Sequence, residues 1–184
     1  MMVSLVDTVI EDPRWESLGL EPLVEHSIRT SLAHLGLPLE GISLCVMGCD
    51  DARILALNSD FLGKAKPTNV LSWPSFDLRP EIIGARPDLP PVGSDHNPEM
   101  LGDIALSYET CALEAIEQYK FMADHATHLI VHGLLHLLGY DHVEDQDAAI
   151  MEQQEVEILA KLGLSNPYIG WQSDKLIGTR IDGQ

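Results

Sequence analysis

The run V-H-G-L-L-H-L-L-G-Y-D-H at 131–142 constrains this chain more than any other segment. His132 and His136 stand four apart in a strongly apolar stretch, so on an α-helix both rings leave one face and can grip a single ion. Such an apolar helix has to be buried. Gly139 follows the apolar run and can take the left-handed conformation that ends a helix, which lets the chain fold back and bring up His142. Three neutral imidazoles leave one place on a tetrahedral ion open, as in a catalytic rather than a closed structural zinc site. Water in that place has its pKa lowered to about 7, which predicts metal-assisted hydrolysis.

His128 extends the ladder upstream, but on a straight helix residues 128 and 136 are about 12 Å apart, too far to share an ion. His142 is therefore the expected third ligand. His128 is expected one layer out, and both it and His125 read first as ordinary polar residues. The spacing H-x3-H-x5-H also matches the metzincin metalloproteases. Those enzymes carry a general base directly after the first histidine; here that place is Gly133, which cannot move a proton.

At 184 residues and 45 % hydrophobic composition, one compact domain over 1–184 is expected. No run is long and apolar enough for a membrane span, and the N-terminus lacks the basic segment of a secretory signal. Cys45, Cys49 and Cys111 are odd in number and scattered, which suits reduced thiols. A cytoplasmic protein is expected. The net charge of −18 argues against loose, salt-driven binding to nucleic acid. Five of the eleven basic residues, Arg53, Lys64, Lys66, Arg79 and Arg86, nevertheless fall between positions 53 and 86. They form either a local basic patch on an acidic body or a set of solvated loop charges.

Hydrophobic periodicity predicts strands at 3–10, 42–48, 68–73 and 101–107. Helices are predicted over 15–35, from an Asp50 or Asp51 cap to Asn58, over 109–121, through the histidines to 138, and over 145–162. The fold class is α+β. Eight Pro and Gly residues between 74 and 99 predict a long surface insert. The tail from Ser165 is expected to dock in its first half and be loose beyond.

The segments K-P-T-N-V-L-S-W-P, L-G-D-I, H-G-L-L-H-L-L-G-Y-D-H, M-E-x-x-E (Met151 to Glu155) and N-P-Y-I closely resemble the YbeY family of bacterial endoribonucleases, from about Ser43 to Tyr168. The resemblance implies a small mixed sheet with helices packed on it and a metal site at the end of the buried helix. It implies one Zn2+ ion on His132, His136 and His142, whose bound water would attack single-stranded RNA. The implied role is 3′-end maturation of small-subunit ribosomal RNA and ribosome quality control, beside small-subunit ribosomal proteins and a ribosome-associated GTPase. One position departs from the pattern. Where the family usually reads N-x-x-[YF]-R-G-K, with an arginine regarded as catalytic, this chain has N-S-D-F-L-G-K and Leu62. Leu62 cannot stabilise phosphoryl charge, and losing such a donor costs about two to three orders of magnitude in rate. Lys64, Lys66 and Arg53 are the nearest replacement cations, Lys64 first, though an ammonium lacks the fork of a guanidinium. The alternative is a non-catalytic, zinc-bearing ribosome-assembly or RNA-binding factor. Asp141 and Asp103 each read either as a partner for an imidazole or water, or as a turn residue capping backbone.

Overall fold

Strand β2 (Ile42–Cys49) is buried or half-buried along its whole length, as befits a strand with neighbours on both edges and helices on both faces. On one side it pairs in parallel with β1 (Val6–Ile10), on the other in parallel with β4 (Glu99–Ser107). The short β3 (Val70–Pro74) closes that edge antiparallel to β4, giving the order β1-β2-β4-β3. The computed structural model describes residues 3–62 and 67–168, with side chains at all of these except 59–62. Together these elements make a single α+β domain with a four-stranded mixed sheet.

Parallel neighbours need a crossover, and between β1 and β2 it consists of α1 (Pro13–Leu18) and α2 (Leu20–His34). One helix over 15–35 was the expectation; the chain breaks it at Gly19, whose φ of 82° ends α1. The break is invisible to periodicity because Trp15 before it and Leu20, Val24 and Ile28 after it enter the same core. Trp15 lies over Gly48, where a Cβ would come within 2.6 Å of its ring, and its indole N–H donates to the Cys49 carbonyl at 2.9 Å.

The sheet has two differently built faces. Leu44, Val46, Ile104 and Leu106 meet α2 and the apolar helix α5 (Met122–Leu137). Met47, Cys49, Leu71, Trp73 and Ala105 meet Ile54 and Leu57 of α3 (Asp51–Leu62). Asp50 begins α3 by accepting the Arg53 N–H at 2.8 Å, which gives it the helix-capping role expected of either Asp50 or Asp51. At Gly133 α5 packs tightly on the sheet, since a Cβ there would lie 2.9 Å from the Ile104 side chain. Beside α5 run α4 (Tyr108–Glu117) and α6 (Asp145–Lys161), the latter packing Met151, Ile158 and Leu159 against Val131 and Leu135.

Between β3 and β4 the chain runs without regular structure apart from a bridge between Ser94 and Asn97. It is tied down at several points: Leu78 is buried against Gly139, and Gly84 and Gly93 donate their N–H groups to Asp147 and to the Gly41 carbonyl, both at 2.8 Å. Among the described residues no helix is long and apolar enough to cross a membrane.

Candidate metal centre

Helix α5 spends its sheet-facing residues Ala126, Ile130 and Leu134 on one core and Val131 and Leu135 on another. The stripe left between carries histidines. Nε2 of His132 and Nε2 of His136 lie 3.1 Å apart; two nitrogens at zinc-ligand distance on a tetrahedral ion are about 3.3 Å apart. The pair is thus already at ligand spacing.

His142 arrives through the turn that ends the helix. Gly139 has φ 95°, its N–H donates to the His136 carbonyl at 3.1 Å, and the Tyr140 N–H donates to the Leu135 carbonyl at 3.0 Å. This paired pattern is a Schellman motif, and Tyr140 seals it by packing beside Leu135. The Asp141 carboxylate accepts the His142 backbone N–H at 2.7 Å, so its role here is to brace the turn. The His142 ring then stacks on His132, with centroids 5.4 Å apart, and meets His136 edge-on at 4.9 Å. One ligand atom from each of the three lies within 4.8 Å of the others.

Burial lowers the His136 pKa to about 4, with His132 and His142 adding to the effect, so the ring is neutral at pH 7 with a lone pair to offer. His132 is oriented by Glu155, a carboxylate only 1 % exposed. Its Oε1 lies 2.5 Å from Nδ1 of His132, and its Oε2 receives Nε2 of His128 at 3.0 Å and the Tyr168 hydroxyl. Burial alone would raise the Glu155 pKa; the hydrogen bonds from His128 and His132 prevail and hold it at about 2. An ionised carboxylate only accepts, so the His132 N–H it receives is on Nδ1, and Nε2 is the nitrogen turned toward His136. Donor type, spacing and protonation all fit a divalent metal ion.

The family profile described as Endoribonuclease YbeY matches residues 10–163. The chain belongs to the YbeY family. A protein of Cereibacter sphaeroides named Endoribonuclease YbeY is 55 % identical over 91 % of this chain and 100 % of its own length. One of the same name from Paracoccus denitrificans is 52 % identical over 89 % of this chain and 90 % of its own. The relatives therefore span the whole histidine site. The solution structure of TM1509 from Thermotoga maritima, at 20 % identity and a TM-score of 0.49 over 92 % of this chain and 93 % of its own, is too distant to inform the site.

Several residues singled out in the sequence fall elsewhere in this YbeY chain. His128 sits one layer out, sharing Glu155 with His132, and His125 faces Glu114 at 3.4 Å. Asp103 pairs in register with Cys45 and Trp73 and is exposed; it therefore lies on the α3 side of the sheet, opposite α5, and does not serve the histidines. Gly133 has a packing reason as well as a chemical one, because any side chain there would strike Ile104. Lys64, Lys66 and Gly63 lie outside the described residues, as does the Leu62 side chain. Arg53 is hydrogen-bonded to Glu11 at 3.2 Å, and Arg79 to Asp77 at 2.9 Å. Both are solvated ion pairs rather than parts of an open basic patch. The cysteines are free thiols, and burial pushes Cys49 up to about 12, so it is an inert core residue.

Sequence reasoning assigned no role to Glu155 or Tyr168, which the fold brings to His132 and to Glu155 respectively. A signal existed for the first. Met151, Glu155, Ile158 and Leu159 form the buried face of α6, and a glutamate set in an apolar stripe has to have a buried partner.

Proposed function

We propose that this chain is a zinc-dependent endoribonuclease cleaving single-stranded RNA in the cytoplasm, in 3′-end maturation of small-subunit ribosomal RNA and in ribosome quality control. The observation carrying this reading is the convergence of His132, His136 and His142 ring nitrogens within 4.8 Å in a chain of the YbeY family. Three imidazoles are a donor set suited to zinc. The bound ion supplies Lewis acidity and an activated water. The chain's own part is to keep His136 neutral, to hold His132 in one tautomer, and to present His142 on a braced turn. RNA is the proposed substrate, and small-subunit ribosomal proteins with a ribosome-associated GTPase are the proposed partners. Lys64, two residues beyond Leu62, is the proposed phosphate-binding cation, a point charge in place of a guanidinium fork.

Leu62 favours a second reading, a zinc-bearing ribosome-assembly or RNA-binding factor without turnover. Arg53 does not repair the loss, because it is engaged with Glu11 and stands about 14 Å back along α3 from Leu62. Cleavage of a labelled single-stranded RNA by zinc-loaded protein separates the two, with His132→Ala in parallel to exclude a contaminating nuclease. Cleavage that disappears in the variant supports the nuclease. Intact RNA with both proteins, alongside binding to small-subunit particles, supports the assembly factor.

A further inference from the structure

A single apolar residue at position 155 would complete the buried face of α6, yet the chain places there a carboxylate with three donors. A buried charge persists only where hydrogen bonds hold it, and here three donors come from two parts of the chain. His132 is a member of the histidine trio. His128 lies one helical turn before it, with its buried Nδ1 lacking a hydrogen-bond partner among the described residues. Tyr168 comes from beyond α6.

Tyr168 reaches Glu155 because α6, like α5, ends in a Schellman turn. Gly163, with φ 79°, donates its N–H to the Ala160 carbonyl at 3.1 Å, and Leu164 donates to the Leu159 carbonyl at 2.8 Å. Leu164 packs on the cluster of Val131 and Leu135, and the Asn166 side chain accepts the Tyr168 N–H at 2.8 Å. The returning segment lays the Tyr168 ring edge-on to His128, with centroids 6.0 Å apart. The hydroxyl then falls on the Glu155 oxygen that His128 also uses.

We propose that Glu155 is the positioning residue of the metal centre and Tyr168 its clamp: the carboxylate fixes His132 with Nδ1 protonated and Nε2 free for the ion, while Tyr168 and His128 hold the carboxylate. This rests on the reading of the histidine trio as a metal centre. Outer partners of ligating histidines are worth roughly ten- to a hundred-fold in metal affinity, and Glu155 would act in this way although it touches neither ion nor substrate.

The test compares the full-length wild type with Glu155→Gln and Tyr168→Phe. Zinc affinity is read by competition with a chromogenic chelator, and imidazole tautomers by long-range 1H–15N NMR on the metal-free protein. Glu155→Gln keeps the shape but loses the charge, so zinc should bind roughly ten- to a hundred-fold more weakly, with His132 divided between tautomers. Tyr168→Phe keeps the ring and should show a smaller loss of zinc affinity in the same direction. Wild-type affinity and an unmixed His132 tautomer in Glu155→Gln would overturn the positioning role, and wild-type values in Tyr168→Phe would overturn the clamp. A wild type that takes up no zinc would instead remove the metal centre itself, and this inference with it.

Discussion

His132, His136 and His142 around the end of α5, and Asp12, Asp50 and Glu109 around the starts of α1, α3 and α4, each bring three ligand atoms within 4.8 Å of one another. Their surroundings differ. In the acidic group Arg14 already stands where a cation would, 2.6 Å from Asp12 and 3.0 Å from Glu109 and over the Tyr108 ring. The remaining lone pairs accept helix N–H groups, from Arg14 to Asp12, Arg53 to Asp50 and Asp51 to Glu109, where the helix dipole also favours negative charge. In the histidine group no cationic side chain of the described residues stands among the rings: Nε2 of His132 faces Nε2 of His136, the outward nitrogen of His132 is tied to Glu155, and His136 is bonded to the Tyr140 backbone. Spacing alone does not suit three side chains to a metal ion; the absence of a cationic side chain already bound among them does.

The strongest attempt to break this contrast is His136→Ala. Losing a ligand should cost more than the roughly hundred-fold upper range seen for outer partners, so the variant should purify without zinc by elemental analysis and leave RNA uncut. Zinc at a hundred times its dissociation constant should stabilise the wild type by about 2.7 kcal/mol and the variant not at all. Full metal retention would make the trio no more a site than the acids.

Gly139→Ala attacks the same site through its backbone. The position has φ 95°, and a Cβ would lie 2.6 Å from the Leu78 carbonyl carbon. Left-handed strain and the clash together should cost about 2 to 3 kcal/mol in urea unfolding. Zinc should weaken as well, because the turn that presents His142 is distorted. Unaltered affinity would show that His142 does not depend on this turn.

Arg14→Ala tests the acidic side. With the guanidinium gone, the melting temperature should fall by a few degrees and should recover in part with millimolar magnesium, to which the wild type should be indifferent. Asp12 is held below its ordinary value of 3.8, chiefly by the Arg14 hydrogen bond, against the opposing effect of burial. Its contribution is therefore present above that value and lost as pH falls through the lower folded one. The variant should unfold with less dependence on pH in that window, and an unchanged acid limb would contradict the pairing.

The smallest effect is expected for Gly133→Ala. Crowding Ile104 should cost about 1 to 3 kcal/mol, while alanine recovers about 1 kcal/mol of helix propensity. A net loss near 1 kcal/mol with normal zinc binding would separate packing of α5 on the sheet from the site on its other face.

Much of this was legible before the fold. The strands and α5 announce themselves by apolar pattern, and the histidines by a spacing that a helix converts directly into distance. Position 19 was not legible, because a glycine inside one apolar stripe does not reveal that the stripe belongs to two helices. Nor was Asp103: the pairing of β2 with β4 shifts register between Ser43 and Cys45, and only the finished pairing tells which face a strand residue takes. Glu155 belongs to the same class, since its contact with His132 spans 23 residues and depends on how α6 lies against α5.

That separation along the chain also sets an order in time. Glu155 follows His132 by 23 residues and Tyr168 follows Glu155 by 13 more, a delay of a few seconds at about 5 to 20 residues synthesised per second. Throughout it the growing chain carries imidazoles whose anchor does not yet exist. In the proposed metal centre, tight loading of an ion would thus wait for the finished domain, because the carboxylate that anchors His132 and the tyrosine that holds it arrive last.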